Sequence, residues 1–162
     1  MFKIGIGYDI HRFAPKRKLV LGGVVIPYKK GLLGHSDADV LLHAVCDALL
    51  SALGQKDIGR LFPNTDSRYK NISSLKLLGK VKAMLDKKDF FVGNIGAVIL
   101  MEAPKISSYA DAMKKNIAKV LKIDESCVGI TATTQEGVGE IGRNNAAAAH
   151  AVALIQQKRV DT

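Results

Sequence analysis

Residues 3–9 alternate around Gly5 and Gly7 in the two-residue period of a strand. Two short apolar runs, Leu19-Val20-Leu21 and Val24-Val25-Ile26, flank Gly22-Gly23 and stop at Pro27, the pattern of a hairpin. From Ser36 to Leu53 the period changes. Val40, Leu41, Ala44, Val45, Ala48, Leu49 and Ala52 recur at helical spacing, with Ser36 as the expected N-cap, Asp39 as an acidic capping-box partner and Gly54 as the stop. Residues 55–72 read as an ordered surface loop around Phe62-Pro63-Asn64-Thr65-Asp66. Helices are expected over 73–88 and 107–122, and strands over 92–101 and 128–134. A glycine-rich loop follows at 137–142, and the alanine-rich stretch 144–157 reads as a last helix. The order β, ββ, α, α, β, α, β, α predicts an α/β fold of the α+β type. It is a single domain over residues 1–162, with a mixed sheet covered by helices on one face.

Composition narrows the function classes. Hydrophobic residues make up 48% of the 162 and charged residues 24%, an ordinary globular balance, and no apolar run is long enough for a membrane helix. Met1-Phe2-Lys3-Ile4-Gly5 passes directly into the strand pattern without the features of a secretion signal, so a cytoplasmic location is expected. Cys46 and Cys127 are spaced neither as a disulfide framework nor as a metal pair. The formal charge of +9 suits an anionic partner. Yet the lysines are scattered (Lys114, Lys115, Lys119 and Lys122 among them), and Lys16-Arg17-Lys18 has no interleaved aromatics for stacking bases. Neither nucleic acid nor a membrane is the expected partner. Gly5-Ile6-Gly7 lacks the third glycine of a dinucleotide fingerprint, and there is no P-loop.

The chemistry-bearing residues gather near the N-terminus. Asp9 and His11 are two apart on a strand, so their side chains point the same way and can address one ion. His43 falls on the helix face opposite the apolar stripe, with Asp39 and Asp47 one turn to either side, and His35 opens the same segment. Taken singly, these features read as a surface strand end and a solvated helix face. Together they offer three N/O ligands, the number that leaves a catalytic zinc one open position; a structural zinc would need a fourth ligand that the sequence does not supply.

At this point the motifs become specific. Gly5-Ile6-Gly7-Tyr8-Asp9-Ile10-His11, Gly22-Gly23-Val24, Ile26-Pro27-Tyr28, Gly31-Leu32-Leu33 and His35-Ser36-Asp37-Ala38-Asp39-Val40 resemble the 2-C-methyl-D-erythritol 2,4-cyclodiphosphate synthase family. So do Asp57-Ile58-Gly59-Arg60-Leu61-Phe62-Pro63, Glu102-Ala103-Pro104-Lys105, Ala132-Thr133-Thr134-Gln135-Glu136 and Gly142-Arg143. The resemblance runs in order through essentially the whole chain. It departs from the usual family pattern at Asn64, where Asp is common, at Gln135, where Thr is common, and around Glu140, where a large hydrophobic residue is usual.

The resemblance implies a homotrimer with active sites at subunit interfaces. It implies a small-molecule substrate, 4-diphosphocytidyl-2-C-methyl-D-erythritol 2-phosphate, closed to the cyclic diphosphate with release of CMP in non-mevalonate isoprenoid synthesis. It implies Zn²⁺ on Asp9, His11 and His43, and a second divalent ion, Mg²⁺ or Mn²⁺, on Glu136. His35 and Thr134 would stabilise the transferring phosphoryl group. Ser36 joins the substrate contacts, as do Asp57, Ile58 and Gly59 with Phe62, Pro63, Asn64, Thr65 and Asp66 around the erythritol. Met101, Glu102, Ala103, Pro104, Lys105, Ile106 and Ser107 would hold the cytidine, next to Thr133 and Gln135. Glu140 and Arg143 complete the set, with Arg143 expected near the trimer axis, where three copies suit a diphosphate. The alternatives are a zinc-dependent phosphoester hydrolase and a basic nucleic-acid-binding protein.

Overall fold

The computed structural model describes residues 1–158. Its centre is a five-stranded sheet built from β1 (Phe2–Pro15), β4 (Lys30–Leu32), β5 (Phe90–Leu100), β6 (Val128–Thr133) and β7 (Ala146–Gln157) in the order β4-β1-β7-β5-β6. All neighbours are antiparallel except β5 and β6, whose parallel pairing requires the crossover that the intervening helix provides. The expected hairpin is present as a separate two-stranded sheet of β2 (Leu19–Leu21) and β3 (Val24–Ile26).

Three long helices, α1 (Val40–Ala52), α3 (Ser74–Lys87) and α4 (Ala110–Leu121), lie on one face of the large sheet. The loop expected at 55–72 contains a one-turn helix, α2 (Ile58–Leu61), and the glycine-rich loop contains another, α5 (Gly139–Gly142). The mixed sheet with a helical layer on one face is therefore as the residue pattern predicts.

Two expectations need correction. The stretch 144–157 is not a helix. Its alanines favour a helix in isolation, but the segment pairs with β1 on one side and β5 on the other along nearly its whole length. Ala147, Ala149, Ala151 and Ala153 face the helical layer and are buried, while His150 and Val152 point away and are exposed. Tertiary pairing overrides intrinsic propensity here. Second, the first helix begins at Val40, not Ser36. Ala38 has φ of 57°, a left-handed backbone that a helix cannot run through, and Asp39 takes the cap by accepting from Leu42 N.

α1 is also not amphipathic in the way its periodicity suggests. Every residue in it except Asp47 and Ser51 is buried. One side lies directly on β1. A Cβ at Gly5 would sit 2.1 Å from Ala48 O, and one at Gly7 would sit 2.0 Å from Ala44 O. Only glycine admits that approach, which brings His43 on α1 down to the level of Asp9 and His11 on β1. On the opposite face the short helix α5 packs Ile141 against Ala146, Ala148 and Leu100, and beyond it Phe2, Ile4 and Ile6 are 65–72% exposed, followed by Tyr8, Ile10 and Val152.

Candidate metal and phosphate site

Asp9 and His11 leave β1 on the helical side and meet His43 there. His43 Nδ1 lies 2.8 Å from Asp9 Oδ2, and His11 Nε2 lies 2.9 Å from the same oxygen and 3.1 Å from His43 Nδ1. Among the described residues this is the one group of three or more such side chains converging on a common point. A tetrahedral zinc with bonds of about 2.0–2.2 Å spaces its ligands at roughly 3.3–3.5 Å. The observed spacings of 2.8–3.1 Å are shorter by roughly half an ångström, so an ion would need only a small spreading of the three groups. Two imidazoles with one carboxylate are a donor set zinc accepts.

The electrostatics of the triad match. Burial alone would raise the Asp9 carboxyl, but hydrogen bonds to His11 and His43 and their positive charge outweigh it and hold the group far below the usual carboxylate range. For His43, burial opposes protonation, and the hydrogen bond to and charge of Asp9, with Asp39 and Asp37 beyond, reverse the balance and raise it. Each partner favours a cation at this point, whether proton or metal.

The two flanking carboxylates on α1 do not behave alike, and this corrects the expected polar ridge. Asp39 is fully buried and faces the hairpin turn, where it accepts from Gly22 N at 3.0 Å and Gly23 N at 2.7 Å as well as from Leu42 N. It is a structural anchor. Asp47 does line the site: its Oδ1 accepts from Ile58 N at 2.8 Å and fixes the Asp57–Gly59 turn. Burial and the neighbouring Asp57 and Asp9 carboxylates push its pKa up, against the pull of that N–H.

Around the triad lies a cavity of about 490 Å³ lined by Gly34, His35, Ser36, Asp57, Ile58, Gly59, Phe62 and Asn64, among others. Those eight include seven of the residues expected at the phosphate and erythritol. His35 Nε2 is 3.3 Å from Asp66 O, tying the two walls together. Asp66 itself pairs with Arg68. Tyr69, Ile72 and Leu77 also line this cavity, and nothing in the sequence singled them out.

A second cavity of about 230 Å³ is formed by Met101, Glu102, Pro104, Lys105, Ile106, Ser107, Ala132, Thr133 and Thr134, close to the expected cytidine set. Beside it the backbone is unusual. Glu136 has φ of 51°, in the left-handed region that non-glycine residues seldom adopt, and its Oε1 accepts from Thr134 Oγ1 at 3.0 Å. Glu102 Oε1 accepts from Gln135 N at 2.7 Å and holds this turn.

The two cavities are distinct. Asp9 and Ile99 both pair with Ala149, and Ile99 pairs with Ala132, so Asp9 and Ala132 stand at one level of the sheet, three strands apart. At about 4.8 Å per strand that is roughly 14 Å. One chain therefore does not bring Thr134 and Glu136 to the triad. Glu140 and Arg143 lie elsewhere again: they pair with each other beside Ile10, Arg12 and Asn145, in neither cavity.

Comparison with known proteins agrees with this geometry. Residues 2–156 match the model of the YgbB family. The chain belongs to that family. A 2-C-methyl-D-erythritol 2,4-cyclodiphosphate synthase from Chlorobium phaeobacteroides is 58% identical over 156 residues, 96% of this chain and 99% of that protein. Among solved structures, the IspF–CDP complex from Plasmodium falciparum superposes with a TM-score of 0.86 at 36% identity, over 98% of this chain and 97% of that one. The bifunctional IspDF from Campylobacter jejuni superposes at 0.94 with 37% identity, over 98% of this chain and 43% of that longer one.

Proposed function

We propose that this chain closes 4-diphosphocytidyl-2-C-methyl-D-erythritol 2-phosphate to 2-C-methyl-D-erythritol 2,4-cyclodiphosphate and CMP, the reaction after which its relatives are named. The observation that carries this reading is the Asp9–His11–His43 triad at the head of a cavity walled by His35, Ser36 and the Asp57–Gly59 turn.

An oxygen of the 2-phosphate attacks the β-phosphorus of the same molecule. The bond from that phosphorus to the bridging oxygen breaks, and CMP departs with the oxygen and the electron pair. The nucleophile is already an anion, so no strong base is needed; the difficulty is to hold anionic groups together in line. Zn²⁺ on Asp9, His11 and His43, with Mg²⁺ or Mn²⁺ on Glu136, would supply the positive charge that offsets this repulsion. His35 and Ser36 line the same space, where they would orient the phosphoryl oxygens by hydrogen bonding. Asp57 has one carboxylate oxygen engaged with Arg60 N, leaving the other for an erythritol hydroxyl. Thr134 contributes a hydroxyl next to Glu136. Met101, Glu102 and the Pro104–Ser107 segment form the base-binding wall.

A reading with all these groups in one active site needs more than one chain, since the two halves stand roughly 14 Å apart in a single sheet. The bare apolar face of Phe2, Ile4, Ile6, Tyr8, Ile10 and Val152 supports the homotrimer, in which a second subunit brings its Thr134–Glu136 turn to the triad.

The test is product identity. Incubation with the substrate and zinc should give CMP and the cyclic diphosphate in equal amounts by ³¹P NMR. CMP with a linear bisphosphate would mean that water, not the 2-phosphate, is the nucleophile, and would replace this reading with a hydrolase.

A further inference from the structure

His43 has two ring nitrogens with different surroundings. Nδ1 faces Asp9 and His11, while Nε2 lies 3.0 Å from Ser74 Oγ and 3.1 Å from Ser36 Oγ. Ser74 comes from the first residue of α3, 31 positions along the chain, and its side chain is completely buried. Its hydroxyl is 2.5 Å from Asp37 Oδ1, and its backbone N–H donates to Asp37 Oδ2 at 3.0 Å.

The hydrogen-bond directions follow from the inventory of donors and acceptors. An ionised carboxylate can only accept, so the Ser74 proton goes to Asp37. That leaves the Ser74 oxygen as an acceptor toward His43. Ser36 Oγ already accepts from Ala38 N and offers a second, longer contact. A neutral imidazole carries one proton. In the metal-free site Nδ1–H can donate to Asp9 Oδ2 at 2.8 Å. A metal ion would take the place of that proton, and with the remaining one held at Nε2 by Ser74 the Nδ1 lone pair is aimed at the point where Asp9 and His11 converge.

We propose that Ser74 and Asp37 are positioning residues of the metal site, orienting His43 and fixing the tautomer that presents Nδ1 to a metal ion. The chain Asp37–Ser74–His43 has the form of the carboxylate partners that commonly stand behind metal-bound histidines, with a hydroxyl interposed. It also ties the site to the helical layer. Asp37 N donates to Ile72 O and Asn71 N donates to His35 O, so residues 35–37 and 71–74 are joined along their length, and the first turn of α3 is anchored to a metal ligand. Nothing in the local sequence around Ser74 marks it; its role comes from the packing of α3 against α1.

The inference rests on the triad being a metal site, and the experiment separates the two claims. Apoprotein is titrated with zinc alone against a chromophoric chelator, in the wild type, His43→Ala and Ser74→Ala. Ser74→Ala should weaken zinc binding by about 10- to 100-fold, and His43→Ala by more. If wild type binds zinc tightly, His43→Ala does not, and Ser74→Ala binds as the wild type does, the positioning role is wrong and the triad stands. If His43→Ala matches the wild type, the triad itself fails. A merely structural Ser74 would lower the melting temperature of the apoprotein and leave the zinc dissociation constant unchanged. Independently of any variant, ¹⁵N NMR of zinc-loaded wild type should show His43 bound through Nδ1, with a protected Nε2–H; binding through Nε2 would overturn the proposal.

Discussion

His43 Nδ1 and Asp9 Oδ2 are 2.8 Å apart although 34 positions separate them in the chain. The contact exists because α1 lies on β1 with no side chain between them at Gly5 and Gly7. A helix and strand held that closely form a rigid frame, which is what a metal site with fixed ligand spacing requires.

The same frame depends on Asp39. Its fully buried carboxylate accepts from Gly22, Gly23 and Leu42. Asp39→Ala should cost several kcal/mol, since each orphaned buried donor costs about 1–3 kcal/mol. Burial, partly offset by these N–H groups, raises the Asp39 pKa to about 6 from 3.8. The folded state then binds the proton more tightly than the unfolded state. The contribution of Asp39 to stability is thus fully present below the unfolded pKa and declines as pH rises to about 6. Denaturant unfolding of apoprotein should show wild type losing stability relative to Asp39→Asn between about pH 4 and 6, and a constant difference above. A difference that does not change with pH would mean the carboxylate is ionised throughout.

The bare sheet face gives a second expectation. Ile6 is 65% exposed in the single chain, so a charge there does little to the fold of one subunit. At the centre of a subunit interface the same charge would be buried without a partner, at a cost of several kcal/mol. Ile6→Asp should therefore shift the assembly from trimer to monomer by light scattering, abolish turnover, and keep the zinc-binding residues in place. A variant with unchanged mass and activity would show that this face is not the interface.

In the proposed reaction Glu136 would hold the second ion. Its left-handed backbone and its bond from Thr134 hold a hard oxygen donor at the turn after β6. Glu136→Gln keeps the size and removes the charge. Turnover should fall by about 10²–10³, by analogy with the loss of one transition-state contact, and the required Mg²⁺ or Mn²⁺ concentration should rise while bound zinc stays constant. Wild-type rate and metal dependence would reduce Glu136 to a loop residue.

How far the residue pattern reveals this architecture depends on the range of each interaction. The β1 alternation, the hairpin around Gly22-Gly23 and the helices over 73–88 and 107–122 are local patterns, and they appear where the periodicity places them. Asp9 and His11 are legible for the same reason, as an i, i+2 pair on one strand. β7 is not, because four consecutive alanines carry no strand signal of their own. What makes them a strand is the space between β1 and β5 and the need for small side chains beneath α1. The alternation of His150 and Val152 with alanine was the available hint. Helical spacing puts Asp39 on a solvated ridge because it says nothing of the hairpin that folds over it. Ser74 and Asp47 act through contacts made only once α3 and the Asp57–Gly59 turn have docked.

The central claim, that Asp9, His11 and His43 hold the zinc on which cyclisation depends, is tested most directly by measuring zinc content and product formation together in wild type and His43→Ala. Wild type should carry about one zinc per chain and yield the cyclic diphosphate. His43→Ala should carry essentially none and form no cyclic product, with the far-ultraviolet circular dichroism of the folded chain retained. A folded His43→Ala protein that keeps its zinc, or that still forms cyclic diphosphate at the wild-type rate, would contradict it.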